Sequence, residues 1–281
     1  MTLALCATMS GAAAAKDREP EVLTRSGKWV VNYDPDACHL LAQFGKNDDP
    51  VILRFTRYEP GDKFDLSVLG NKVRSSDYKG SAKINFGLGT FSEGALNGNA
   101  GKLKAMFFSS VRLDGWDRKS PNDVPPKVTP AQEASVTGVT LAIRGKRPFR
   151  LEFGSLAKPM EQMRACSANL VRSWGYDPAV QQTLLRPASP ITAPGEWLAS
   201  SDYPMAALMQ GHNGQVQFRL DVDPKGAVAG CYVLARTSPD DFADVTCRAV
   251  SRRAKMQPAL DAEGKPVRSF FVTKVHWLAG G

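Results

Sequence analysis

The chain has three histidines, five cysteines and no C-x-x-C pair in 281 residues, so it lacks the ligand spacing of a structural zinc site. It has no G-x-S-x-G and no H-E-x-x-H, which removes the hydrolase elbow and the helical zinc protease. Gly94 to Lys102 resembles a phosphate loop only superficially, because Leu96 stands where glycine is needed and Leu103 where Ser or Thr is needed. Asp36, Cys38 and His39 do not make a nucleophile site: neighbours on an extended chain point opposite ways, and a bridged cysteine cannot attack. His212, between Gly211 and Gly214, reads as an exposed turn residue, and His276 as a solvent-facing strand residue. There is no Lys/Arg run and no base-stacking motif, which argues against nucleic acid. No cofactor or metal site and no catalytic constellation emerges. The chain reads as a non-enzyme.

What is present is globular. Hydrophobic content is 43% and the net charge is +8, and the length suits two ordinary domains. Residues 201–281 hold ten basic and eight acidic side chains, so most of the positive excess lies upstream. A basic surface suits an anionic partner such as cell-wall polymer or lipid head groups, or is simply solvated. Met1 to Ala15 carries no charge and closes on Ala12-Ala13-Ala14-Ala15, an expected secretory signal cut near Ala15, although its basic leading region is missing. Leu5 ahead of Cys6 disfavours lipoprotein processing. No other stretch reaches the roughly 20 apolar residues of a membrane span. The expected compartment is the periplasm.

An exported chain left with Cys38, Cys166, Cys231 and Cys247 favours two disulfides, for which three pairings exist. Cys231 on a strand and Cys247 on the helix that must cover it bridge easily, and Cys38 with Cys166 follows by elimination. The competing reading is four reduced core thiols.

Taken in order, residues 16–27 are charged and expected to be flexible. Residues 28–176 show short apolar runs, Trp29 to Tyr33, Val51 to Tyr58, Phe64 to Leu69, Ala82 to Phe86, Lys104 to Leu113, Ser135 to Arg144 and Phe149 to Phe153, separated by breakers. This predicts an antiparallel β-sandwich or barrel-like domain. The long Asp117 to Pro130 stretch is expected to be exposed or functional. From Leu156 the period becomes helical: Leu156, Met160, Met163, Leu170, Val171 and Trp174 share a face, which predicts a helix closing the β domain. Pro178, Pro187, Pro190 and Pro194 mark residues 177–200 as a linker.

Residues 201–281 carry the clearest pattern. From Gln215 to Val222 every even position is apolar and every odd one polar, a half-buried strand. Asp223-Pro224-Lys225-Gly226 turns the chain back into a second strand, Ala227 to Leu234. Ser238-Pro239-Asp240-Asp241 then offers a hydroxyl cap, a proline and acids ahead of a helix to Ala254, which ends in Arg248, Arg252 and Arg253. Arg268 to Leu278 reads as a third strand.

This order, with Tyr203-Pro204, Gly214-Gln215-Val216, Asp223 with Gly226, Val228, and Pro258-Ala259 with Gly264, resembles the C-terminal domain of the TonB energy-transducer family. The resemblance covers about residues 200–278 and implies a TonB-like β-β-α-β domain with a short leading helix, giving a two-domain α+β chain. It also implies that the last strand lies at a sheet edge where partners add a strand. Arg268, Phe270, Val272, Lys274 and His276 are the candidate partner-binding residues of that edge. The competing role for the strand's side chains is to fill the core, at Phe271, Val275 and Trp277, and to blunt the edge, at Lys274. The expected function is protein contact in envelope transport or assembly, with an outer-membrane receptor or inner-membrane complex as partner. Family transducers carry a membrane anchor, where this sequence has a globular domain, so true energy transduction is not expected. The alternative is a structural or stress protein that holds cell wall or anionic lipid through its basic surface.

Overall fold

The structure, a computed structural model, describes residues 19–73, 79–89, 92–117, 123–237 and 241–279. The expected signal, Cys6 and the Ser238-Pro239-Asp240 cap lie outside the described residues, as do residues 118–122 of the long loop.

The molecule is mixed α+β. Ten strands form one large sheet: β1 (Glu21–Thr24), β2 (Val30–Tyr33), β3 (Cys38–Phe44), β4 (Val51–Arg57), β5 (Phe64–Leu69), β6 (Lys79–Asn85), β7 (Ser92–Ala100), β8 (Leu103–Val111), β9 (Gly138–Ile143) and β10 (Phe149–Glu152). Their order is β1-β10-β9-β6-β7-β8-β5-β4-β3-β2. This is one sheet curled on itself rather than two facing sheets. Its ends meet where Arg25 bridges Phe44, where the Ser26 N–H donates to Gln43 O (2.9 Å) and where the Gly45 N–H donates to Thr24 O (3.0 Å). Closure leaves few open backbone groups.

The expectation of a flexible segment at 16–27 is corrected for residues 19–27, residues 16–18 lying outside the described residues. Glu21–Thr24 pairs in parallel with β10, because Leu23 packs on the core and the strand supplies the closing hydrogen bonds. The strands at 38–44 and 92–100 were not read from the sequence. β7 is rich in glycine, and residues 34–38 begin with turn-like residues.

Alternating residues of β3, β4 and β5 fill the core: Leu40, Phe44, Leu53, Phe55 and Leu66 are fully buried. Trp29, Phe55, Phe64, Phe86 and Phe153 pack edge-on or tilted at ring-centroid distances from 4.9 to 6.1 Å. Helix α1 (Pro130–Ser135) begins with a capping box between Thr129 and Gln132. Helix α2 (Ala157–Ser173) tolerates Pro159 because its first-turn amides have no helical partner. Its stripe of Met160, Met163, Cys166, Leu170 and Val171 is buried, and Cys166 is bonded to Cys38 of β3.

Residues 177–200 do not run free as the proline count suggested. They form α3 (Pro178–Gln182) and β11 (Ser189–Pro190), and they bury Ala188 and Trp197 in the second hydrophobic cluster. Prolines set the bends, and Trp197 is large enough to dock the segment.

The rest contains α4 (Met205–Met209), β12 (Gly214–Val222), β13 (Val228–Arg236), α5 (Asp241–Arg253), β14 (Met256–Gln257), β15 (Ala259–Leu260), β16 (Pro266–Val267) and β17 (Ser269–Trp277). β14 pairs with β11 and β15 with β16, while the main small sheet has the order β13-β12-β17, antiparallel throughout. In the β12–β13 turn Asp223 Oδ1 accepts from the Lys225 and Ala227 amides, each at 2.8 Å. Gly226 is required there: its φ is +82°, and a Cβ would lie 2.2 Å from Met256 O. Val216, Phe218, Leu220 and Val222 face α5, whose Phe242 and Val250 complete the core with Trp277. Cys231 of β13 is bonded to Cys247 of α5.

Candidate interaction surface

Among the described residues β17 pairs with β12 alone, over Val222↔Ser269 to Gly214↔Trp277. Its outer edge is therefore one of the two open sides of the small sheet, β13 forming the other. Trp277 anchors the strand: its Nε1–H donates to Thr246 Oγ1 (3.1 Å), and its ring packs against Phe242 and Tyr203, both centroids 5.4 Å away. Tyr203 of the Tyr203-Pro204 pair thus closes the core beneath the strand.

Period-two geometry puts Arg268, Phe270, Val272, Lys274 and His276 on one face. The opposing β12 residues on that face are Asp221, Arg219, Gln217 and Gln215. The alternation suggested a water-facing polar surface. The structure instead turns it toward the large sheet and α2, so Gln217 and Arg219 are each only 5% exposed. The Arg219 guanidinium lies 4.4 Å from the Trp174 ring and 4.3 Å from the Tyr232 ring, with Nε donating to Asp221 Oδ1 (2.9 Å). Such stacking spreads the cation over two π faces while one carboxylate neutralises it.

The five candidate residues have different fates on this face. Arg268 lies over the Tyr176 ring at 4.7 Å. Phe270 packs edge-on against Trp174 and Tyr176, at 5.1 and 5.3 Å. Val272 lines a groove of about 210 Å³ with Thr273, Lys274 and the chain around Tyr58 and Lys63. Lys274 donates to both carboxylate oxygens of Asp65, at 2.9 and 2.7 Å. His276 is exposed. Arg268, Phe270 and Lys274 are thus engaged within the chain.

Asp65 is itself fixed. The Ser110 N–H donates to its Oδ1 at 2.9 Å, and Ser110 holds a positive φ of 56°, unusual for a residue with a side chain.

The beginning of the β17 edge is capped. Tyr176 donates its hydroxyl to Ser269 O (3.0 Å), Gln181 Nε2 donates to Arg268 O (3.3 Å), and Ser269 Oγ donates to Gln181 Oε1 (2.6 Å). Burial, with Asp221 nearby, pushes the Tyr176 phenol up to about 12, so it stays a donor at neutral pH. The stretch from Val272 to Val275 carries no such cap.

Sequence reasoning missed Asp65, Trp174 and Arg219. The one available signal was Arg219 sharing a face with Asp221 two residues on, a pairing that a solvated strand does not need.

Among the described residues the small antiparallel sheet is covered by α5 and has two edge strands, β13 and β17, each with β12 as its one neighbour. Residues 199–278 match the family model of the Gram-negative bacterial TonB protein C-terminal domain. That family is a protein-interaction domain of the cell envelope and not an enzyme class. The two disulfides agree with an oxidising compartment. No curated protein and no solved structure matches the chain. Among the described residues no helix is long and apolar enough to cross a membrane, and no group of three or more His, Cys, Asp or Glu residues could hold a metal.

Proposed function

We propose that this chain works in the periplasm by protein contact, accepting a strand of a partner envelope protein along the open edge of β17, in transport or assembly. An outer-membrane receptor or a component of an inner-membrane complex is the expected partner. In this reading residues 28–176 and 201–281 are two domains, joined by the segment 177–200 that packs on the second. The observation that carries the reading is the single neighbour of β17; β13 shares that property, and the match of residues 199–278 to the TonB C-terminal family, whose last strand takes the partner, favours β17. Because Arg268, Phe270 and Lys274 are engaged inside the chain, recognition falls on main-chain N–H and C=O groups between Val272 and His276, with Val272 and His276 adding selectivity.

A photo-cross-linking residue placed at Thr273 in the exporting cell tests this. The expected result is one discrete adduct with an envelope protein, absent when the residue is placed instead at exposed Lys225 in the β12–β13 turn. No adduct, together with sedimentation of the chain with cell wall that salt dissolves, would favour binding through the basic surface and overturn the strand reading.

A further inference from the structure

Arg57, the last residue of β4, is only 3% exposed, yet among the described residues no carboxylate forms an ion pair with its guanidinium; Glu133 and Asp62 favour its charge only from a greater distance. Its Nε has no hydrogen-bond partner, and Nη2 reaches only the weak acceptor Met160 Sδ, at 3.8 Å. A buried cation without a hydrogen-bonded oxygen acceptor is costly. Burial lowers its pKa to about 10 while the Glu133 and Asp62 carboxylates oppose the fall, so it keeps its charge at neutral pH.

Arg57 borders an open cleft of about 400 Å³ lined by the segment after β4, by Lys127 to Pro130, by α1, by α2 and by Gln182 of α3. That volume is in the range of small-molecule sites. The two acids that line it are already satisfied. Glu133, 3% exposed, accepts from Arg164 Nη1 with both oxygens at 2.6 Å, and Asp62 accepts from the Val128 amide at 3.0 Å and faces Arg112 at 3.5 Å. With Arg57, Lys127 and Arg164 against Asp62 and Glu133 the lining keeps an excess of one positive charge, and Arg57 in the wall lacks a hydrogen-bonded acceptor while Lys127 is exposed.

Hydrogen bonds tie part of the wall down. Arg112 holds the Lys127 segment through Pro126 O, and the Thr129 capping box fixes the start of α1.

We propose that this cavity binds a small molecule bearing an oxyanion, a carboxylate or phosphate group, which Arg57 receives at the bottom and Lys127 screens at the rim. A guanidinium with free N–H donors suits such a group because it can bond two oxygens at once. This site is separate from the β17 edge and does not rest on the strand-addition reading.

Calorimetry on the full chain tests it, with inorganic phosphate, acetate and succinate as probes and chloride at equal ionic strength as the control. A bound anion raises the unfolding midpoint in a saturable way, because only the folded state binds it. The expected result is such a rise with phosphate or with the carboxylates, and not with chloride. A response confined to phosphate assigns a phosphate ligand, and one confined to the carboxylates a carboxylate ligand. Arg57→Leu should abolish the response while leaving the midpoint in chloride unchanged or higher, since it removes a desolvated charge. Should that variant fail to fold, Lys127→Gln at the rim should weaken binding by about three-fold or more. Identical wild-type midpoints in all four salts, or the same anion response in Arg57→Leu, or in Lys127→Gln where that variant is the test, would overturn the proposal.

Discussion

Lys274 on the last strand grips Asp65 on β5, 209 residues earlier in the chain, with both carboxylate oxygens within 2.9 Å of its Nζ. The contact joins the small sheet to the large one, and both side chains are mostly buried, at 16% and 23% exposure. Alanine at either position should cost about 1 kcal/mol, and the double variant should cost less than the sum. Denaturant unfolding of the four proteins in the cycle measures it. Strict additivity would mean the pair carries no coupling.

Arg219 is the second fastening. Arg219→Ala should lose about 1 to 2 kcal/mol and alter the emission of Trp174, whose ring it covers. Lysine should not restore either property, because an ammonium cannot stack flat between Trp174 and Tyr232. Full recovery in Arg219→Lys would show that charge alone matters.

The disulfides should differ in weight. Cys231 and Cys247 are 16 residues apart and Cys38 and Cys166 are 128 apart. Chain entropy then predicts losses of ~3 kcal/mol and ~5 kcal/mol for the paired serine variants. Equal losses from both pairs in equilibrium unfolding would point to enthalpy instead of loop length.

Stability should fall on mild acidification through His39. Burial, then Arg54, holds its pKa below the ordinary 6.5, with Asp34 opposing; its Nδ1 sits 2.9 Å from Thr56 Oγ1. As pH drops through 6.5 the unfolded chain takes up this proton and the folded chain resists, so the unfolded state gains. The stabilising difference is present above pH 6.5 and is lost below it. His39→Gln should flatten the slope of stability between pH 6.5 and 5.5 relative to the wild type. An unchanged slope would assign that dependence to another group, His276 first, whose pKa burial also lowers.

Much of the C-terminal module was legible because its elements carry local signals. The alternation from Gln215 to Val222, the Asp223-Pro224-Lys225-Gly226 turn and the helical stripe of α5 each depend on residues a few positions apart. The large sheet was read less well. β1 and β7 have neither apolar alternation nor β-branched runs, and only their partners, β10 for one and β6 and β8 for the other, make them strands. The proline-marked linker was misread for a related reason: proline composition reports bends, whereas Trp197 docking is a contact with a distant core.

The sequence by itself determined the period of each strong element, the hairpin, the closing helices and the cysteine inventory, because these follow from side-chain spacing and backbone stereochemistry. Only the tertiary structure decided that the polar face of β12 and β17 is covered, that Asp65 answers Lys274, and that Arg57 is buried beside a cavity without a directly paired carboxylate. Those are juxtapositions of residues far apart along the chain. A polar side chain reads the same in sequence whether water, an aromatic ring or a distant carboxylate finally stands opposite it.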